Sequence, residues 1–142
     1  MLYQPSFLLV VVVAFMLPRC DRLWPDVYWR SERYVAIEID SPEQMSLSFD
    51  TGNGSTSGLV GPTVFAVGAN DRYIVVKQHP AKDALSAGDR SRTNYFYIER
   101  TDSSDLRERQ RRVTGPLSER EFQERAAALK LPSFQRVFHD VQ

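Results

Sequence analysis

The chain has 142 residues, with 18 basic and 18 acidic side chains, two histidines and one cysteine. A single cysteine excludes an intrachain disulfide, so stability has to come from an apolar core, and 142 residues supply one such core rather than two. The charge balance leaves no electrostatic footprint for nucleic acid, which is excluded as a partner.

Phe7 to Leu17 is an unbroken apolar run. As a helix it would span roughly 17 Å, well short of the roughly 30 Å hydrocarbon core of a bilayer, so it reads as the h-region of a secretory signal. Pro18-Arg19 and then Cys20 follow at once. A cysteine in that place resembles the processing site of bacterial lipoproteins, in which the thiol carries a diacylglyceryl chain and becomes the first residue of the mature protein. The resemblance implies lipidation at Cys20, membrane attachment through that lipid, and a location in the bacterial cell envelope facing the periplasm. Pro18 and Arg19 stand where that class has small residues, so an uncleaved N-terminal anchor and a plain secreted chain stay open. The expected division is a signal or anchor over residues 1–20 and one small domain over 21–142. Arg19 is the only charged residue in the leader, so the remainder carries 17 basic against 18 acidic residues, or 17 − 18 = −1.

The segment from Asp21 to Tyr34 is dense in Trp24, Tyr28, Trp29 and Tyr34, side chains with an apolar body and a polar tip. They suit a membrane interface or a sugar-binding surface, and equally the open face of a sheet. Val35, Ile37 and Ile39 then alternate with Tyr34, Ala36 and Glu38, and after Asp40-Ser41-Pro42 the residues Met45, Leu47 and Phe49 alternate with polar neighbours. Period two predicts two half-buried strands. The Gly- and Ser-rich stretch Asp50 to Gly61 predicts a loop. Thr63 to Val67 and Tyr73 to Val76 are apolar without alternation, separated by Gly68-Ala69-Asn70-Asp71, which predicts a hairpin buried on both faces at the centre of the sheet.

A polar insertion follows between Gln78 and Asn94, then a strand from Asn94 to Arg100. Thr101 to Arg112 is charged and irregular, and its Arg107, Arg109, Arg111 and Arg112 predict a solvated connector. Ser118 with Glu121 three residues later forms a capping box, and Leu117 and Phe122 stand at the spacing of a hydrophobic staple. Phe122, Ala126 and Leu129 share one face of the helix that starts there, and Pro132 stops it after Leu131. The tail from Phe134 to Val141 should fold back on the sheet edge. The expected fold is α+β: a single antiparallel, meander-like sheet of about five strands backed by one C-terminal amphipathic helix.

The strings Tyr73-Ile74-Val75-Val76-Lys77-Gln78-His79-Pro80, Asn94-Tyr95-Phe96-Tyr97-Ile98-Glu99 and Gly115-Pro116-Leu117-Ser118-Glu119-Arg120-Glu121-Phe122 resemble a group of small bacterial envelope proteins of unknown function, many of them predicted lipoproteins. The likeness covers roughly residues 70–125. It implies an envelope location and a β-then-helix layout, and brings no activity with it.

Candidate chemistry is thin. Phe49-Asp50-Thr51-Gly52 resembles the active-site turn of aspartic proteases, but the apolar-apolar-Gly strand those enzymes pack beneath the turn is missing at the required spacing, and an ordinary strand-end turn with the carboxylate capping backbone amides accounts for it. Gly52, Gly54 and Gly58 lack the lysine and helix of a phosphate loop. His79 and His139 are too far apart in sequence to suggest a metal site, so no metal, no cofactor and no catalytic residue is assigned. The polar trio Lys77, Gln78 and His79, where an apolar strand ends before Pro80, is the candidate binding cluster. Two function classes follow: a non-enzymatic envelope module that binds a protein partner through the loops 50–61 and 79–92, and a small envelope hydrolase built on Asp50 or His79.

Overall fold

Val64 to Ala69 and Tyr73 to Gln78 form strands that bury nearly every side chain, because a layer lies on each side of them. In a computed structural model, which describes residues 26–83 and 86–139, they belong to the middle layer of three. The predicted signal, Trp24 and Cys20 lie outside the described residues.

The strands in chain order are β1 (Asp26–Ser31), β2 (Tyr34–Glu38), β3 (Ser46–Gly52), β4 (Ser55–Val60), β5 (Val64–Ala69), β6 (Tyr73–Gln78), β7 (Asn94–Glu99), β8 (Val113–Leu117) and β9 (Arg136–Val137), with helices α1 (Leu106–Arg111) and α2 (Glu119–Leu129). All sheet pairings are antiparallel: one sheet runs β1-β2-β3-β4 and the other β8-β7-β6-β5-β9. The α+β class and the terminal helix stand as expected, but the strands form two sheets rather than one. The expected single sheet is short by β1, β4 and β8, which are all edge strands. Ser and Gly in β4 and Gly-Pro in β8 are tolerated where only one side of the strand must pair.

Residues 50–61, expected as a loop, are therefore mostly a hairpin. Its turn is Gly52-Asn53-Gly54, three successive residues with positive φ (92°, 54° and 76°). That geometry reverses the chain tightly between β3 and β4.

The two sheets face each other through Tyr34, Ala36, Leu47, Phe49 and Val60 on one side and Val64, Ala66, Ile74, Val76, Phe96 and Ile98 on the other. Register explains the sorting. Ile74 pairs with Ile98 and Val76 with Phe96, so these four share the inner face, while Val75 and Tyr95 point the other way onto Phe122 of α2. In β2 the pairing of Tyr34 with Phe49 and of Ala36 with Leu47 turns Tyr34 and Ala36 inward. Val35 and Ile37, expected to face the core, are buried on the opposite face, and Ile39 beyond them is exposed.

Helix α2 begins as predicted. The Ser118 hydroxyl accepts from the Glu121 amide and the Glu121 carboxylate accepts from the Ser118 amide, which closes the capping box. The helix ends at Leu129, two residues before the expected stop, because Lys130 turns left-handed (φ 55°) and its carbonyl accepts from the Asn70 side chain. Ser118→Ala should lower stability by about 1 kcal/mol, measured by chemical denaturation. After Pro132 the tail returns along β5, where Val137 pairs with Ala66 and Arg136 with Val67, so the expected closure on the sheet edge is present.

Strand direction gives the body two distinct ends. At the entry end lie Asp26, the β2–β3 connection, the β4–β5 connection and the 79–93 loop, tied by the Val64 amide to the Met45 carbonyl at 2.9 Å. At the far end lie the β1–β2 turn, the β3–β4 tip, the β5–β6 turn and α1. Arg100 ties that end, donating to the Asn70 carbonyl at 2.8 Å, to the Glu32 carboxylate at 3.3 Å and to the Ser31 hydroxyl.

Candidate functional site

Lys77, Gln78 and His79 are consecutive at the end of β6, and alternation sends them apart. Lys77 points to the helix side, where its ammonium sits 4.7 Å from the Phe134 ring centroid and 5.4 Å from that of Tyr95. That is a cation–π arrangement. Gln78 turns inward and latches the β4–β5 connection, donating to the Pro62 and Gly61 carbonyls at 2.7 and 3.0 Å. The three side chains do not converge on one surface.

His79 is 4% exposed and lies flat on Phe65, with ring centroids 4.2 Å apart and planes 12° from parallel. Its Nδ1 is 2.8 Å from the Arg92 carbonyl, which can only accept, so Nδ1 carries a proton, and Nε2 is buried without a hydrogen-bond partner among the described residues. Its backbone is held as firmly. The His79 amide donates to the Thr63 carbonyl at 3.1 Å, and the Thr63 hydroxyl donates to the His79 carbonyl at 2.5 Å. Thr63 is itself at φ 103°, a conformation costing a β-branched residue about 1–3 kcal/mol, so this pair of bonds holds a strained position in place.

The polar insertion closes over this histidine. Gly88 lies so close that a Cβ there would come within 2.8 Å of the Thr63 hydroxyl and 3.1 Å of the His79 Cβ. The loop then ties itself down through the Asp89 amide to the Pro80 carbonyl at 2.8 Å. His79 is thus the pillar of the 79–93 loop.

Asp50 sits at the far end, at the β3–β4 turn. One carboxylate oxygen accepts from the Gly52 amide at 2.9 Å and the other from Arg30 at 3.0 Å, while Arg33 donates to the Asp50 carbonyl at 2.9 Å. These are the bonds of a capped turn. The two loops expected to form one contact surface lie at opposite ends of the sandwich, since β3 carries Asp50 away from the entry end and β6 brings His79 back to it.

Sequence reasoning missed Arg109. The expected solvated connector contains α1, capped by Asp105, whose carboxylate accepts from the Arg107 amide at 2.8 Å. Asp105 with Glu108 three residues on was the available signal. Arg109 is buried (4% exposed), with its guanidinium carbon 4.4 Å from the Phe49 ring centroid and one nitrogen donating to the Ser103 carbonyl at 3.0 Å. Arg33 approaches the same ring at 4.6 Å, and Arg112 pairs with Glu99 and Glu108 at 3.2 Å each. Arg107 and Arg111 remain exposed.

Concavities open on the surface among the described residues. A groove of about 340 Å³ at the entry end is lined by Tyr28, Glu38, Met45, Arg136, Phe138 and His139, among others. A more polar cleft of about 270 Å³ at the far end is lined by Trp29, Arg30, Glu32, Asn70, Asp71 and Arg100, among others. Among the described residues no group of three or more His, Cys, Asp or Glu side chains could hold a metal ion, and no helix is long and apolar enough to cross a membrane.

The charged turns set the response to pH. The Asp50 carboxyl is held below its ordinary 3.8 by the Gly52 amide and then by Arg30. Asp89 is lowered by the Ser91 hydroxyl and amide, and Glu121 by the Ser118 hydroxyl and amide. A carboxyl lowered in the fold stabilises it above the unfolded-state value and loses that contribution as pH falls through its folded value. Tyr95 is raised above its ordinary 10.0 by burial and then by Glu119, so its contribution is complete below that pH and lost as pH rises further. Urea midpoints measured across pH should therefore hold level near neutrality, fall below about pH 4 and fall again above about pH 10. Asp50→Asn should flatten part of the acid limb.

The family described as "Protein of unknown function (DUF3997)" matches residues 31–138, and the chain belongs to it. No curated protein and no solved structure matches the chain.

Proposed function

We propose, with membership of that family of unknown function as the premise, that the chain is a non-enzymatic binding module of the bacterial cell envelope, exported and tethered to the membrane by a lipid on Cys20 with its folded body facing the periplasm. The observation that carries this reading is the order of parts: the apolar run Phe7–Leu17, then Cys20, then five residues, then β1. A signal-length run is too short to span a bilayer, and the only thiol of the chain follows it where an acyl chain would be attached.

A binding role is supported by the state of the residues a hydrolase would need. Asp50 caps a turn at one end of the sandwich, while His79 is buried under a loop at the other, and each is occupied by bonds that hold the fold. The test is capture of the full-length protein from its native membranes, with intact-mass measurement of the bait. The expected mass is that of a chain beginning at an acylated Cys20, with one partner protein retained when Asp50 is replaced by asparagine. An unmodified chain still carrying Met1, recovered from the cytosol, would overturn the proposal.

A further inference from the structure

We infer that the corner of the sandwich at the entry end, formed by Val27, Tyr28 and Ile39, rests on the lipid surface and fixes which end of the body faces the membrane. The inference extends the tether proposed above and rests on it. Its starting point is an apolar patch that is exposed among the described residues. Among the described residues the exposed large hydrophobics are Val27 (50%), Tyr28 (41%), Ile39 (60%) and Leu106 (43%). The first three are neighbours: Asp26 pairs with Glu38 and Val27 with Ile37, so Ile39 adjoins the first residues of β1. Tyr28 turns around the edge into the groove, edge-on to Phe138 at 6.4 Å. Leu106 lies on α1 at the other end.

The occupant follows from where the chain leaves the described body. Asp26 is the first described residue, and Asp21 to Pro25 separate it from Cys20. The six Cα-to-Cα steps from Cys20 to Asp26 reach at most about 22 Å, so a lipid on Cys20 keeps this corner within that distance of the bilayer, while the far end stands a further six-residue strand, about 20 Å, beyond it. Contact thereby becomes an intramolecular event, and a modest apolar patch is enough. Tyrosine flanked by aliphatic side chains suits the headgroup boundary. A second copy adding a strand to β1 fits less well, because the β1–β2 register slips between Val27 and Trp29 and a bulge there bends the edge away from further pairing. In this orientation the 79–93 loop faces the membrane, and the polar cleft around Trp29, Asp71 and Arg100 faces outward.

The test is hydroxyl-radical footprinting of full-length protein, with its native N-terminus, in vesicles of phosphatidylethanolamine and phosphatidylglycerol in a three-to-one ratio. Leu106 serves as the internal reference. Oxidation of Val27, Tyr28 and Ile39 relative to Leu106 should be at least about threefold lower than in a variant with twenty Gly and Ser residues inserted between Pro25 and Asp26, which frees the body from the surface. Intact mass on the same sample separates the two claims. An unacylated Cys20 would overturn the tether and this inference together. An acylated, vesicle-bound protein whose Tyr28 reacts in the same ratio to Leu106 in both tether lengths would overturn this inference alone. Protection that vanishes when the protein is diluted in excess lipid would assign the corner to a second copy and overturn it as well.

Discussion

Phe49→Ala is expected to lower the unfolding free energy by about 3–5 kcal/mol, a large share of the roughly 5–15 kcal/mol that holds a domain of this size. Phe49 is 1% exposed and closes the far end of the space between the sheets. Tyr34 meets it edge-on at 5.2 Å, and the guanidinium groups of Arg33 and Arg109 lie 4.6 and 4.4 Å from its centroid. Truncation therefore leaves a cavity and also strips the ring from a buried arginine whose Nε already lacks a partner. A buried charge deprived of its stabilising neighbour is costly beyond the lost apolar area. Chemical denaturation of Phe49→Ala, Arg109→Met and the double variant should reveal a coupling of about 0.5–2 kcal/mol between the two positions. Additive effects would mean that the ring does nothing for the guanidinium.

Gly68→Ala should release the C-terminal tail. A Cβ at residue 68 would stand 2.0 Å from the Ser133 carbonyl oxygen and 3.1 Å from the Phe134 Cα. These are backbone atoms, which cannot swing aside as a side chain would. The tail must move, and with it the bonds from the Gln135 amide to the Val67 carbonyl at 2.9 Å and from the Phe138 amide to the Phe65 carbonyl at 2.7 Å. Overpacking of this kind costs about 1–3 kcal/mol. Hydrogen exchange should show the Gln135 and Phe138 amides becoming fast while the β6–β7 ladder stays protected. Unchanged exchange in the tail would mean that β5 can bend instead.

The middle layer was legible in the sequence because burial on both faces leaves an uninterrupted apolar run, as in Tyr73 to Val76. Helix α2 was legible because Ser118 and Glu121 write its start in two residues. The edge strands β4 and β8 were not, since an edge needs only one bonded neighbour and imposes little on composition. In β2 the inward face was misread, because both faces are buried and alternation carries no information there; the register against Phe49 decides it. The candidate trio Lys77, Gln78 and His79 was found as polar residues at a strand end, yet alternation parts Lys77 from Gln78, and Gly88 brings a loop onto His79. Arg109 was hidden because a buried arginine reads as a solvated one when its ring partner is 60 positions away in the chain.

The strand that seals β5 comes from Arg136 and Val137, with Val137 lying 137 − 66 = 71 positions after its partner Ala66. During synthesis the central pair of strands emerges from the ribosome before those two residues do, with one margin open. Until those two residues emerge, a row of amides and carbonyls along β5 lacks its partner strand.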